Sequence, residues 1–174
     1  MSNKKIYFAS DQHFGAPTPE ASFPREQKFV AWLDEVKKDA EAIFLLGDLF
    51  DFWFEYQTVV PKGFVRVLGK LAEIRDSGIP IYFFVGNHDL WMNDYFEKEL
   101  NIPVYHDNKE FTFNEKTFLI GHGDGKNPAT ENEACPGRHS IGRWTPGLAL
   151  YARAIFARAW QTQSHSTLMV ACIG

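Results

Sequence analysis

A chain of 174 residues that is 45% hydrophobic, 16% aromatic and 23% charged has ample apolar side chain for a buried core, which excludes a fibrous or disordered polypeptide. Its net charge of -4 offers no positive field to nucleic acid or anionic lipid, so a nucleic-acid binder is not expected. Asp11 interrupts the N-terminal stretch before a signal-like segment forms, no run of 18 apolar residues follows, and Cys135 and Cys172 make neither a disulfide framework nor a zinc-ligand spacing, so a cytoplasmic location is expected.

The first predicted element is a strand at Ile6-Tyr7-Phe8-Ala9. Phe29, Trp32, Leu33 and Val36 then fall at helical spacing, and a second strand runs from Ala42 to Leu46. Phe64, Val67, Leu68, Leu71 and Ile74 mark a second helix that Gly78 is placed to terminate. Ile79 to Val85 is a third strand. Residues 103–105, 111–113 and 117–120 read as shorter strands, the last two forming a hairpin through Asn114-Glu115-Lys116. Strands alternating with amphipathic helices predict an α/β fold with a mainly parallel sheet and an antiparallel edge.

Polar residues gather where each strand ends, which is where open α/β sheets place their ligands. Ser10-Asp11-Gln12-His13, Gly47-Asp48-Leu49-Phe50-Asp51, Gly86-Asn87-His88-Asp89 and Gly121-His122-Gly123-Asp124 follow four predicted strands in order. Singly, each has an ordinary explanation: an Asp after a strand caps or turns, and a His in an apolar context is commonly a hydrogen-bonded interior residue. Together they assemble carboxylate, amide and imidazole donors without thiolate, a set that suits divalent Mn, Fe, Co or Zn. Buried together without cations, Asp11, Asp48 and Asp51 would carry uncompensated like charge. Two cations remove that repulsion and can clamp a phosphoryl group, so phosphate ester hydrolysis is the expected chemistry. Behind the second motif stand Phe50, Phe52, Trp53, Phe54 and Tyr56, and behind the third Trp91 and Met92. These aromatics are either core packing or the apolar wall of a pocket for an acyl chain or a base.

The four motifs together resemble those of the calcineurin-like metallophosphoesterase superfamily over about residues 5 to 126. The runs Gly47-Asp48-Leu49-Phe50-Asp51-Phe52-Trp53 and Phe83-Phe84-Val85-Gly86-Asn87-His88-Asp89-Leu90-Trp91-Met92 are similar to its UDP-2,3-diacylglucosamine pyrophosphatase branch. The resemblance implies an α/β/β/α sandwich with mixed sheets, incomplete at its C-terminus. It also implies two divalent metal ions, Mn²⁺ foremost, and a UDP-linked acylated sugar of lipid A synthesis as substrate, hydrolysed to UMP at the cytoplasmic membrane face with peripheral membrane contact. On the same basis Asp11 and His13 would ligate the first metal, Asp48 would bridge both, and Asn87 and His122 would ligate the second. His88 would contact the phosphate and stabilise or protonate the leaving group, and Asp89 would orient its ring. Water, not a side chain, would be the nucleophile. Rival expectations are a catalytically incomplete metal- or phosphate-binding domain and a generic phosphodiesterase or nuclease of the same superfamily.

The chain departs from the superfamily in one respect. Gly-His-x-His, which would add two ligands, is absent after Asp124, where His139 and His165 stand isolated. Composition also breaks at Lys126. Residues 1–126 hold fourteen basic and twenty acidic residues, a net -6, whereas residues 127–174 hold four arginines, two glutamates, no lysine, no aspartate, both cysteines and eight alanines, a net +2. A core over 1–126 and a divergent tail over 127–174 are therefore expected. Leu148, Tyr151, Ala152, Ile155 and Ala159 give that tail an amphipathic helical spacing, as a remnant of a helical lid would. The composition favours translation in a shifted frame. An incomplete sheet would leave an unpaired edge and expose Phe118 and Ile120.

Overall fold

The computed structural model describes residues 4–113, 116–122, 142–143 and 169–173. Strand β1 (Lys5–Ser10) is followed by α1 (Pro19–Val36), β2 (Ala40–Leu46), α2 (Val65–Asp76), β3 (Ile81–Phe84), α3 (Tyr95–Leu100), β4 (Val104–Tyr105), β5 (Lys109–Phe113) and β6 (Lys116–Ile120). Two further strands, β7 (Gly142–Arg143) and β8 (Met169–Ile173), follow. One sheet has the order β4-β3-β2-β1-β8, parallel from β4 to β1 and antiparallel at β8; the other has the order β5-β6-β7 and is antiparallel.

Side-chain alternation along the parallel strands builds two cores. Ala9, Ile43, Leu45, Ile81 and Phe83 face the helices, where they meet Phe29, Leu33 and Val36 of α1 and Val67, Leu71 and Ile74 of α2. Ile6, Phe8, Ala42, Phe44, Leu46 and Phe84 face the opposite way, onto Phe118 and Ile120 of the second sheet. A strand covered on both faces must be apolar at nearly every position, which is why residues 42–46 form a continuous hydrophobic run. Phe44 stacks on Phe8 and Tyr82 at 5.1 and 4.8 Å and meets Phe111 edge-on at 4.9 Å. Such rings contribute about 1.5–3 kcal/mol each on burial. The described residues thus form three layers, helix on sheet on sheet; the outer helical layer that the resemblance implied, and the 148–159 helical spacing, fall outside them.

Two expectations are corrected. Phe118 and Ile120 are not exposed, because their side of the hairpin closes over the parallel sheet. Nor is the β1 edge open: β8 pairs with it over five residues, from Ile6 opposite Ile173 to Ser10 opposite Met169. Helix α1 also starts ten residues before its first periodic apolar residue. Thr18 caps it by accepting from the Ala21 N–H at 3.3 Å, and Pro19 supplies the fixed φ that suits a first turn. The C-terminal glycine of α2 behaves as read: Gly78 has φ +88° and donates to the Arg75 carbonyl at 2.9 Å.

Candidate metal centre

The parallel pairing of β1 and β2 continues past the ends of the strands. Asp11 N–H donates to Gly47 O at 3.2 Å, His13 N–H to Asp48 O at 2.9 Å, Phe14 N–H to Leu49 O at 3.0 Å, and Asp51 N–H to Phe14 O at 3.0 Å. Along this extension Asp11, His13 and Asp48 have φ of +57°, +45° and +53°. Asp and His are among the few side chains that enter the left-handed region at all, and there it turns their side chains toward a common point. Gln12 turns away and donates to the Ser10 carbonyl at 2.7 Å.

Asp11, His13 and Asp48 each bring one ligand atom into a group whose members lie within 4.8 Å of one another. The Asp48 carboxylate is central: its Oδ2 is 3.7 Å from His13 Nε2 and 3.6 Å from His122 Nε2. It is buried, and its Oδ1 accepts the His88 N–H at 3.0 Å. His122 donates from Nδ1 to the Leu46 carbonyl at 2.7 Å, which fixes the tautomer with the Nε2 lone pair directed at the site. That lone pair lies 3.3 Å from Asn87 Oδ1 as well as 3.6 Å from Asp48 Oδ2. A carboxylate oxygen, an amide oxygen and an imidazole nitrogen thus converge at one place, a donor set that suits a divalent cation. Asp11, His13 and Asp48 thus form a group that could hold a divalent cation, with Asn87 and His122 standing next to Asp48.

Asp51 is the site residue that sequence reasoning left out of the ligand and catalytic set. Its Oδ1 is 3.5 Å from His13 Nδ1 and 3.4 Å from His88 Nδ1, and the three make a second potential ligand group. The two imidazoles meet edge-on with centroids 4.6 Å apart. Asp51 was visible as the last residue of Gly-Asp-x-x-Asp; what the spacing could not convey is that it faces both histidines.

The role expected for Asp89 is corrected. Its carboxylate is fully buried, with Oδ1 accepting the Gly86 N–H at 2.6 Å and Oδ2 accepting the Leu49 N–H at 3.0 Å. Burial pushes its pKa up to about 6 against those hydrogen bonds, and the neighbouring Asp48 adds to the rise. Asp89 thus ties the β3 loop to the β2 loop. His88 is held by another group: its Nδ1 donates to the Asp51 main-chain carbonyl at 2.9 Å.

The aromatic cluster divides between the two readings left open. Phe50 and Trp53 are 0% exposed and pack with Phe64 and Phe96, and Met92 is buried with them. Phe52, Phe54 and Trp91 are 58%, 46% and 51% exposed. Trp91 lies 5.6 Å from the Phe52 ring and 6.5 Å from that of Phe54. The Glu55 N–H donates to the Trp91 carbonyl at 3.2 Å, and the Glu55 carboxylate accepts from the N–H groups of Asp94 and Tyr95, so the loops after Asp51 and His88 are fastened side by side. The result is an apolar shelf that begins one residue after Asp51. No helix among the described residues is long and apolar enough to cross a membrane.

A family model described as calcineurin-like phosphoesterase matches residues 4–147. UDP-2,3-diacylglucosamine hydrolase of Porphyromonas gingivalis is 46% identical over 120 residues, which are 69% of this chain and 46% of the relative. The Haemophilus influenzae protein of the same name is 33% identical over 123 residues, 70% of this chain and 49% of that one. The chain spans about half the length of the curated relatives it matches. A crystallised Aquifex aeolicus protein of unknown function superposes with a TM-score of 0.49 at 23% identity, covering 75% of this chain and 67% of that one.

Proposed function

The chain belongs to the calcineurin-like phosphoesterase family, and from this we propose that its site hydrolyses the phosphoanhydride of UDP-2,3-diacylglucosamine, releasing UMP by attack of water at phosphorus. The observation that carries the reading is the junction of a two-cation donor set with an apolar shelf, Phe52, Phe54 and Trp91, adjoining Asp51 and His88. The relatives named for this reaction support it.

In this reading Asp11 and His13 would hold one divalent cation, Asn87 and His122 the other, and Asp48 would serve both, with Mn²⁺ as the metal. Bound cations supply Lewis-acid stabilisation of the phosphoryl oxygens. His88, its Nδ1 anchored on the Asp51 carbonyl, holds the proton for the leaving oxygen on Nε2. The shelf would take the acyl chains, and its exposed rings support a peripheral location at the cytoplasmic membrane face. Residues 1–126 carry the proposed catalytic core and residues 127–174 a divergent tail; the composition break at Lys126 supports this division.

Two measurements test the proposal. On a version of the chain supplied with a C-terminal Gly-His-x-His segment, kcat/KM should favour UDP-2,3-diacylglucosamine over p-nitrophenyl phosphate, and serine at Phe52, Phe54 and Trp91 together should erase most of that preference. About 100 Å² of apolar contact at 25 cal/mol per Å² corresponds to roughly 2.5 kcal/mol, or some sixtyfold. Equal kcat/KM for both substrates removes the lipid-sugar assignment. The 174-residue chain itself, with millimolar Mn²⁺, should turn over at least about 10–100-fold more slowly than the supplemented version, because loss of even a supporting group around a metal costs that much. Equal rates would show that the donors already present suffice.

A further inference from the structure

The loop that carries His13 is held from outside the site by the first two turns of α1. Arg25 Nη2 donates to two main-chain carbonyls, His13 O and Ala16 O, each at 2.7 Å. One turn earlier, the buried Ser22 hydroxyl accepts the Gly15 N–H at 2.8 Å and donates to the buried Glu26 carboxylate at 2.9 Å. The guanidinium is partly stripped of water, a loss that the carboxylates of Glu26 and Asp51 counter only in part. An arginine that spends both hydrogens of one nitrogen on backbone oxygens is placed to fix a conformation. The conformation in question is uncommon: His13 stands at φ +45°, and residues in that region persist where their surroundings over-determine them.

We propose that Arg25 is a positioning residue of the metal centre, which sets the direction of the His13 imidazole by clamping the carbonyls on either side of the 13–16 turn. The inference rests on the reading of Asp11, His13 and Asp48 as cation ligands. Arg25 acts through His13, whose Nε2 must stay near Asp48 and whose Nδ1 must stay near Asp51.

The test is calorimetric titration of the full chain with Mn²⁺ alone, for wild type, Arg25→Met, Arg25→Lys, His13→Ala and the double variant Arg25→Met/His13→Ala. Arg25→Met keeps the length of the side chain and removes its donors, so Mn²⁺ affinity should fall about 10–100-fold. Arg25→Lys, whose ammonium can donate to both carbonyls, should remain within about threefold of wild type. In the His13→Ala background the Arg25→Met change should cost no more than about twofold, because the residue through which it acts is gone. Unchanged affinity in Arg25→Met, or the same loss with and without His13, overturns the proposal. Arg25→Gln, polar but too short to reach either carbonyl, carries the same comparison if Arg25→Met does not fold. Wild type that takes up no Mn²⁺ overturns the metal reading instead, and the inference with it.

Discussion

Replacing Asp48 with alanine should lower Mn²⁺ affinity more than 100-fold while leaving the metal-free protein at least as stable as before. The first half follows from position: Asp48 Oδ2 stands between His13 Nε2 and His122 Nε2, so in the proposed two-cation arrangement its loss would subtract a donor from each cation, whereas Asn87→Ala would subtract one from a single cation and should cost about tenfold. The second half follows from charge. Asp48 sits among Asp11, Asp51 and Asp89, and it already contributes to the raised pKa of Asp89. Removing it relieves repulsion, against which stands the loss of one hydrogen bond from the His88 N–H, about 1 kcal/mol. Calorimetry and urea unfolding of the same samples separate the two effects. If affinity falls no further than in Asn87→Ala, Asp48 is not the shared ligand; if affinity and stability fall together, it is a structural residue.

Gly86→Ala should damage both properties at once. A Cβ at Gly86 would stand 2.2 Å from Asp48 Oδ1 and 2.6 Å from Asp48 N, distances that no relaxation of a side-chain tip alone can accommodate. Gly47, directly before Asp48, has φ +79°, and a Cβ there would lie 2.5 Å from His122 Nδ1 and 2.7 Å from the Gly86 Cα. The β2 and β3 loops thus touch backbone to backbone at this pair of glycines, and Asp48 occupies the space next to the contact. Overpacking such a point costs about 1–3 kcal/mol, and displacing Asp48 should reduce Mn²⁺ affinity at least tenfold. Gly69→Ala, in α2 where an added methyl meets nothing within 4 Å, is the control and should stabilise by about 0.5–1 kcal/mol. A Gly86→Ala protein with unchanged midpoint and affinity would mean that the loops can separate freely.

The parts of the molecule that were legible in the sequence are those where side-chain identity carries the signal. Residues 42–46 are apolar throughout because both faces of β2 are covered, and Asp11, Asp48 and Asn87 stand in sequence because the parallel strands β1, β2 and β3 end on the same side of their sheet, whereas His122 arrives from β6 of the antiparallel sheet. Where the main chain does the work, the sequence is silent. His88 is anchored by a carbonyl of Asp51, an atom every residue has, so Asp89 beside it looked the better partner. Helix α3, six residues long, is too short to show a period, and its first N–H groups are taken by Glu55, forty residues away in the chain. The division of the aromatics also had no local cause. Phe50 and Trp53 turn inward and Phe52 and Phe54 outward in a loop whose path is set by Phe14 and Trp91, its partners in two isolated bridges. Pairing of 169–173 with β1 escaped notice because the break at Lys126 had set the whole tail apart.

The main-chain ladder that runs on from β1 and β2 into the 11–14 and 47–51 loops makes a frame whose shape owes little to the side chains displayed on it. A frame of that kind is a display platform. Substituting Asp51 or Asn87 would change which donors the frame displays and leave the main-chain bonds between the 11–14 and 47–51 loops in place. Innovation at this site is therefore cheap in structural terms, except at Gly47, Gly86 and Asp48, where backbone and chemistry share the same few cubic ångströms.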